Sequence, residues 1–331
     1  MKNYLRHCIT LLGFIMTVSL CGAQQPAVDP MVKGNQLYEK GDYAAAADQY
    51  RLVAKNSRFP LQKAYAWLNL GNCHVQNKAY NKAVVAYRRS VEQAPTFTRA
   101  WSVLGDVYYL LGSVGDATAC FRRVLENEGE DFHARQMLGE LSLKGGDVTE
   151  ALRHLDAAVK MEPEEANLYL AEAEALTRIR DYEAAQKVME QALLRLSKPP
   201  AEAYFYLGEL YEIDGKPRKA VRAYEEGLSL SPKRKDYWFR IANMHERAGD
   251  DFLALLTLEQ AMNKGNTEAE FPLRRGLIFF AQKRYDQALA AFTRAYDLGS
   301  AQGRRGIQNV AAVYANSGDK KKAEEAETFL K

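Results

Sequence analysis

Beyond residue 23 the chain holds four histidines, His74, His133, His154 and His245, and two cysteines, Cys73 and Cys120. Imidazole and thiolate groups hold transition metals and serve as bases and nucleophiles. Such chemistry needs several of them converging on one point. Here the histidines fall in separate segments, with no pair at metal-ligand spacing on one helix. Cys73 and His74 are adjacent, and adjacent residues of a helix do not face together. Gly303-Arg304-Arg305-Gly306 lacks the features of a phosphate loop and reads as an ordinary turn. The sequence therefore predicts no catalytic residue, no cofactor and no metal site.

The bulk composition narrows the classes further. Of 331 residues, 47% are hydrophobic, enough for a sizeable core. Lysine plus arginine number 45 against 42 acids, a balance that gives no support to nucleic-acid or acidic-membrane binding. The start of the chain is distinct. Lys2 and Arg6 precede an apolar run, Ile9 to Leu20, and then Cys21-Gly22-Ala23-Gln24. That order predicts a secretory signal over residues 1–23, with Gln24 as the mature start. The expected location is therefore the periplasm or the outer-membrane surface. A second reading stays open, because Val18-Ser19-Leu20-Cys21 resembles the cleavage motif of bacterial lipoproteins, with bulky Leu20 where a small residue is expected. Lipid on Cys21 would then anchor the protein to a membrane; otherwise no membrane contact is expected. Both remaining cysteines fall in helical patterns and are expected to be buried free thiols, a disulfide between them being the alternative.

The elements that carry these residues repeat. In Trp101-Ser-Val-Leu-Gly-Asp-Val-Tyr-Tyr-Leu-Leu111, large apolar groups recur at helical spacing around Gly105, although glycine costs a helix roughly 1 kcal/mol. Thirty-four residues earlier stand Trp67, Leu70 and Gly71, and the same phase continues as Gly139, Ala173, Gly208, Ala242, Gly276 and Ala311. Twelve residues after each small residue stands an alanine: Ala46, Ala83, Ala117, Ala151, Ala185, Ala220, Ala254, Ala288 and Ala323. Four residues further stand Tyr50, Tyr87, Phe121, Leu155, Met189, Tyr224, Leu258 and Phe292. Gly-Asp turns separate the halves, as at Gly41-Asp42, Gly146-Asp147, Gly249-Asp250 and Gly318-Asp319. Each unit reads as two short helices, the small residue of the first expected to face the alanine of the second.

This pattern resembles the tetratricopeptide repeat family, whose units carry W-x₂-L-G-x₂-Y…A-x₃-F…P over 34 residues. Trp101, Leu104, Gly105, Tyr108, Ala117 and Phe121 match it, and Pro95, Pro163 and Pro232 supply the closing proline. The frames run near 27–60, 64–97, 98–131, 132–165, 166–199, 201–234, 235–268, 269–302 and 304–331. Small insertions near 61–63, 200 and 303 disturb the register. The resemblance implies an all-α, right-handed superhelical solenoid of about nine helix-turn-helix repeats over 24–331, with no second domain.

It also implies a function. First helices of such arrays line a concave groove that takes protein segments. Family groove positions fall here on Asp106, Glu140, Glu174 and Glu209, an acidic row beside Phe205, Tyr206 and Phe239. They fall next on a basic set, Arg240, Arg274 and Arg305. Asn35, Asn69 and Arg99 resemble part of the carboxylate clamp of chaperone-binding members, but Met31 and Val103 stand where two clamp bases belong. The reading is a non-enzymatic scaffold or adaptor of the bacterial cell envelope, with a protein or peptide partner and no nucleic acid. Alternatives are a lipid-anchored subunit of an outer-membrane assembly or secretion machine, and an enzyme accessory protein.

Overall fold

The computed structural model describes residues 29–330, so the segment expected to be a secretory signal, residues 1–23, and Cys21 within it lie outside the described residues. Those residues form eighteen α-helices and no strand. They divide into two compact units, one up to Val107 and one from Tyr108.

The first unit contains α1 (Pro30–Glu39), α2 (Tyr43–Asn56), α3 (Pro60–Gln76), α4 (Tyr80–Gln93) and most of α5 (Thr98–Leu110). The second begins in the last turn of α5. It continues through α6 (Val114–Glu128), α7 (Phe132–Gly145), α8 (Val148–Met161), α9 (Ala166–Arg178), α10 (Tyr182–Arg195), α11 (Ala201–Ile213) and α12 (Pro217–Leu230). It closes with α13 (Lys235–Arg247), α14 (Asp251–Asn263), α15 (Glu270–Ala281), α16 (Tyr285–Asp297), α17 (Ala301–Asn316) and α18 (Lys320–Thr328). From α1 to α4, and again from α6 to α18, every helix packs on the next in sequence. In the second unit first helices also touch one another, α7 on α9, α9 on α11 and α15 on α17, so they share one face.

The turns follow from two residue types. Gly146 closes α7 at φ 83°, a left-handed conformation that a side chain disfavours. Asp147 then caps α8, its carboxylate accepting from the Glu150 N–H at 3.0 Å. Asp42, Asp181, Asp250 and Asp319 cap their helices in the same way.

The small residue of the first helix also meets a side chain beyond the alanine. The conserved-phase alanines are buried, but the glycines face the large residue four positions beyond. A Cβ on Gly71 would stand 2.3 Å from the Tyr87 ring, and one on Gly208 would stand 2.4 Å from the Tyr224 ring. Gly34 lies likewise under Tyr50, Gly139 under Leu155 and Gly276 under Phe292. The glycine makes room for the large side chain, and burial of that side chain offsets the lost helix propensity. Where the first helix carries Ala173 or Ala242, the opposing phase holds the narrower, flexible Met189 or Leu258.

The insertions near 61–63 and 303 are absorbed as extra N-terminal turns of α3 and α17, which begin at Pro60 and Ala301. Proline suits the first helical turn at Pro60. Gly303-Arg304-Arg305-Gly306 is accordingly helical and not a turn. Its glycines serve close packing: a Cβ on Gly303 would stand 2.7 Å from the Tyr296 backbone nitrogen, and one on Gly306 2.4 Å from the Phe292 ring.

Candidate partner-binding surface

In the first unit the amide groups read as groove-facing are largely engaged internally. The buried Tyr50 and Tyr87 hydroxyls donate to Asn35 Oδ1 and Asn72 Oδ1, each at 2.7 Å. Asn69 lies 3.8 Å from the Met31 sulfur. Asn35 and Asn69, both at clamp phases, thus contact neighbours within the fold. Asp106, the first acid of the predicted row, is half-buried on α5.

In the second unit the row continues on successive first helices, and each acid has its own setting. Glu140 on α7 is half-buried; burial raises its carboxyl above the usual range, while Lys144, His133 and a bond from Tyr109 pull it partly back. The Lys144 ammonium sits 4.0 Å from the Tyr109 ring centre. Glu174 on α9 is exposed and pairs with Arg178 at 2.7 Å, one turn on. Glu209 on α11 accepts from the Tyr237 hydroxyl at 3.2 Å and lies 3.5 Å from Arg240.

The arginines are not a separate basic zone. Arg240 on α13 reaches back to α11, donating to Glu212 at 2.9 Å as well as pairing with Glu209. Arg274 on α15 repeats the relation with α13, donating from Nε to Glu246 at 3.0 Å and from Nη2 to the Asn243 side chain. Acid on one first helix and base on the next therefore form a ladder across the face. Arg304 and Arg305 on α17 differ: both are exposed and make no ion pair among the described residues.

The three aromatics part company. Phe205 is buried, stacked on Tyr237 with ring centres 3.9 Å apart and pressed against Gly227. It is a core residue, removed from the surface because its own helix turns it toward α12. Tyr206 is half-buried and donates to the Thr177 hydroxyl at 3.0 Å. Phe239 is half-buried and stacks at 4.4 Å on the fully buried Phe271. Each thus offers one edge to solvent from a fixed position.

The four histidines lie on four different helices. His74 is half-buried on α3, and His133 meets Phe121 edge to face at 5.5 Å. His154 is buried on α8, bonded to Glu150 and close to Arg135 and Arg153. No group of three or more histidine, cysteine, aspartate or glutamate side chains able to hold a metal occurs among the described residues. Cys73 and Cys120 are buried free thiols, each pushed up to about 12 by burial. At such values the reactive thiolate is scarce. None of the described helices is long and apolar enough to cross a membrane.

Sequence reasoning missed the ladder because its partners are 28 to 31 residues apart, on different repeats. The signal was present, since Arg240 and Arg274 share one phase and Glu212 and Glu246 another. It missed also that tyrosine hydroxyls donate to Asn35 and Asn72.

Comparison with known proteins bears on the whole arrangement. Sequence models described as tetratricopeptide repeat match residues 64–97, 102–166, 142–209, 201–234 and 253–303. Anaphase-promoting complex subunit 3 of Schizosaccharomyces pombe is 24% identical over 169 residues, 51% of this chain and 25% of that protein. The chain spans 18% to 30% of the length of the first curated relatives it matches. Among solved structures, YrrB, a tetratricopeptide protein with an unusual peptide-binding site, superposes with TM-score 0.51 at 17% identity, covering 59% of this chain and 98% of that one. The C-terminal part of a tetratricopeptide protein from Cytophaga hutchinsonii gives TM-score 0.53 at 13% identity, covering 83% of this chain and 98% of that one. Proteins of this fold are generally non-catalytic modules that bind protein or peptide partners. Repeat phase, helix pairing and matched models agree along the chain: it belongs to the tetratricopeptide repeat family and folds as an α-solenoid.

Proposed function

We propose that the protein is an exported, non-enzymatic scaffold of the bacterial cell envelope. It binds an extended or helical segment of a protein partner on the first-helix face of its second unit. The observation that carries this reading is the ladder from Glu174 to Arg274. Its charged groups are partly open to solvent yet held in place by fixed neighbours, with Tyr206 and Phe239 beside them. A face ordered in advance loses less entropy on binding. The unpaired Arg304 and Arg305 at its end favour a partner that carries acids beyond an apolar stretch.

Export rests on the residues before Gln24. The lipid-anchored reading, an assembly subunit at the outer membrane, rests on Cys21 after Val18-Ser19-Leu20. N-terminal sequencing and intact mass of the secreted chain separate the two. A free Gln24 supports export in soluble form; a lipidated Cys21 replaces it with the anchored reading.

The binding claim is tested by affinity capture from envelope extract, followed by association kinetics of the captured partner at two salt concentrations. Glu174→Gln with Arg304→Gln and Arg305→Gln slows association and flattens its salt dependence. Unchanged kinetics in that variant would remove the first-helix face as the contact.

A further inference from the structure

Trp67, Trp101 and Trp238 occupy the same phase of their repeats, yet the indole of Trp67 is bonded differently. Trp101 donates to the carbonyl of Pro95 at 2.8 Å, and Trp238 to that of Pro232 at 2.8 Å, each six residues upstream in the loop between repeats. Tyr169, at the same phase, donates to Pro163 at 2.9 Å. Six residues before Trp67 stands Leu61, which lies in the extra first turn of α3. A carbonyl there is directed along the helix and is lost as an acceptor. Trp67 accordingly has no hydrogen-bond acceptor among the described residues.

The same ring forms part of an open cleft of about 460 Å³ between α2, α3 and α4. Trp67, Leu70, Val85 and Ala86 supply its apolar lining, and Arg51, His74, Asn81 and Lys82 its polar lining. Lys82 makes no ion pair among the described residues, and Arg51 pairs only with the exposed Asp48. A further cation, Arg89, lies 5.7 Å from the Trp67 ring centre. The local field is positive enough to register on His74: burial lowers its pKa, and Lys82 and Arg51 lower it further. An apolar lining, an unused N–H donor, an unpaired Lys82 and an Arg51 paired only with exposed Asp48 are complementary to an apolar group flanked by carboxylates.

We infer that this cleft is a second docking site, separate from the first-helix face, for an acidic peptide segment that seats one apolar side chain over Trp67 and places carboxylates beside Lys82 and Arg51. A segment fits better than a free small molecule. The cleft opens to solvent and does not enclose its occupant, as small-ligand pockets do. An anionic lipid surface fits less well, because Asp48 stands beside Arg51 among the cations. The extra turn at Pro60–Lys63 is thus a functional departure from the repeat, since it frees the indole that other repeats spend on their own loop.

The test uses the protein from Gln24 onward and the fluorescein-labelled peptide acetyl-Glu-Glu-Leu-Glu-Glu-amide, followed by anisotropy. In parallel, the indole N–H resonances are followed in nitrogen-15-labelled protein, Trp67 being assigned with Trp67→Phe. The peptide binds saturably and moves the Trp67 indole resonance but not that of Trp238. Its glutamine counterpart binds about tenfold more weakly. Arg51→Glu with Lys82→Glu weakens binding by at least about tenfold, whereas Arg305→Glu leaves it unchanged. Should the double variant fail to fold, Lys82→Gln and the Trp67 resonance of the parent protein still decide the matter. No saturable binding up to about 1 mM overturns the inference, as does a stationary Trp67 resonance. Tighter Lys82-dependent binding to phosphatidylglycerol vesicles than to the peptide also overturns it, and assigns the cleft to a lipid surface.

Discussion

Arg240 Nη1 lies 2.9 Å from Glu212 Oε2, so a base of α13 is tied to an acid of α11 in the preceding repeat. Its other Nη lies 3.5 Å from Glu209. The Tyr224 hydroxyl donates to the same Glu212 at 2.9 Å, which joins the pair to the ring that covers Gly208. Surface charge and repeat packing are therefore one network. A partner approaching this face meets groups already compensated, and gains specificity from their fixed positions more than from bare charge.

That network sets the size of a mutational effect. Arg240 and Glu212 are both partly solvent-exposed, so the pair is worth about 0.5–1 kcal/mol. A double-mutant cycle of Arg240→Gln and Glu212→Gln, read by denaturant unfolding, gives a coupling of that order at low salt and less at high salt. Zero coupling at low salt would mean the two groups do not pair in solution.

Glycine under a ring is a volume constraint and is tested as one. A Cβ on Gly276 would stand 2.5 Å from Phe292 Cδ1. Gly276→Ala destabilises the protein by about 1–3 kcal/mol through overpacking, despite alanine's better helix propensity. Phe292→Leu relieves that clash, so the double variant loses less than the sum of the single losses. Thermal melting of the three variants gives the comparison, and strict additivity would refute the contact.

Arg180 follows α9 in the left-handed region, at φ 62°, where Gly112, Gly146, Gly215, Gly249 and Gly318 stand in other repeats and Lys78 and Lys283 in two more. A side chain there costs roughly 1–2 kcal/mol, part of which glycine returns as entropy of the unfolded chain. Arg180→Gly raises stability by about 0.5–1 kcal/mol. The reverse change, Gly146→Arg, lowers it. Chemical denaturation measures both.

The buried His154 predicts an acid-side loss of stability. Burial holds its pKa below the usual 6.5, against the bond from Glu150 that favours the charged form. Below pH 6.5 the unfolded chain therefore binds a proton that the folded chain does not, and stability falls as pH drops toward the folded value. Glu150 adds a second window. The bond from Arg153, with that of His154, holds its carboxyl at about 2, so stability present above 4.5 is lost as pH falls toward 2. His154→Gln removes the first window and keeps the second. Unfolding free energy followed from pH 7.5 to pH 3 checks both, and an identical profile for the variant would refute the assignment to His154.

Much of this molecule is local, and what is local was legible. The phase of Gly71, Ala83 and Tyr87 gave the helix pairs, and Gly146-Asp147 gave a turn whose φ and capping bond are as its residue types require. Such features depend on neighbours within one repeat, where sequence spacing fixes geometry. Extra turns at Pro60 and Ala301 were legible only as irregularities in the period, because a helix absorbs added residues without changing its composition. Three other features depend on which residues meet across repeats. Phe205 faces the core because α12 presents Gly227 to it, and Arg240 finds Glu212 rather than solvent. Trp67 loses an acceptor that Trp101 keeps. Side-chain direction and partner distance across 28 to 34 residues are set by how one helix pair rests on the next, and only the tertiary structure decides that.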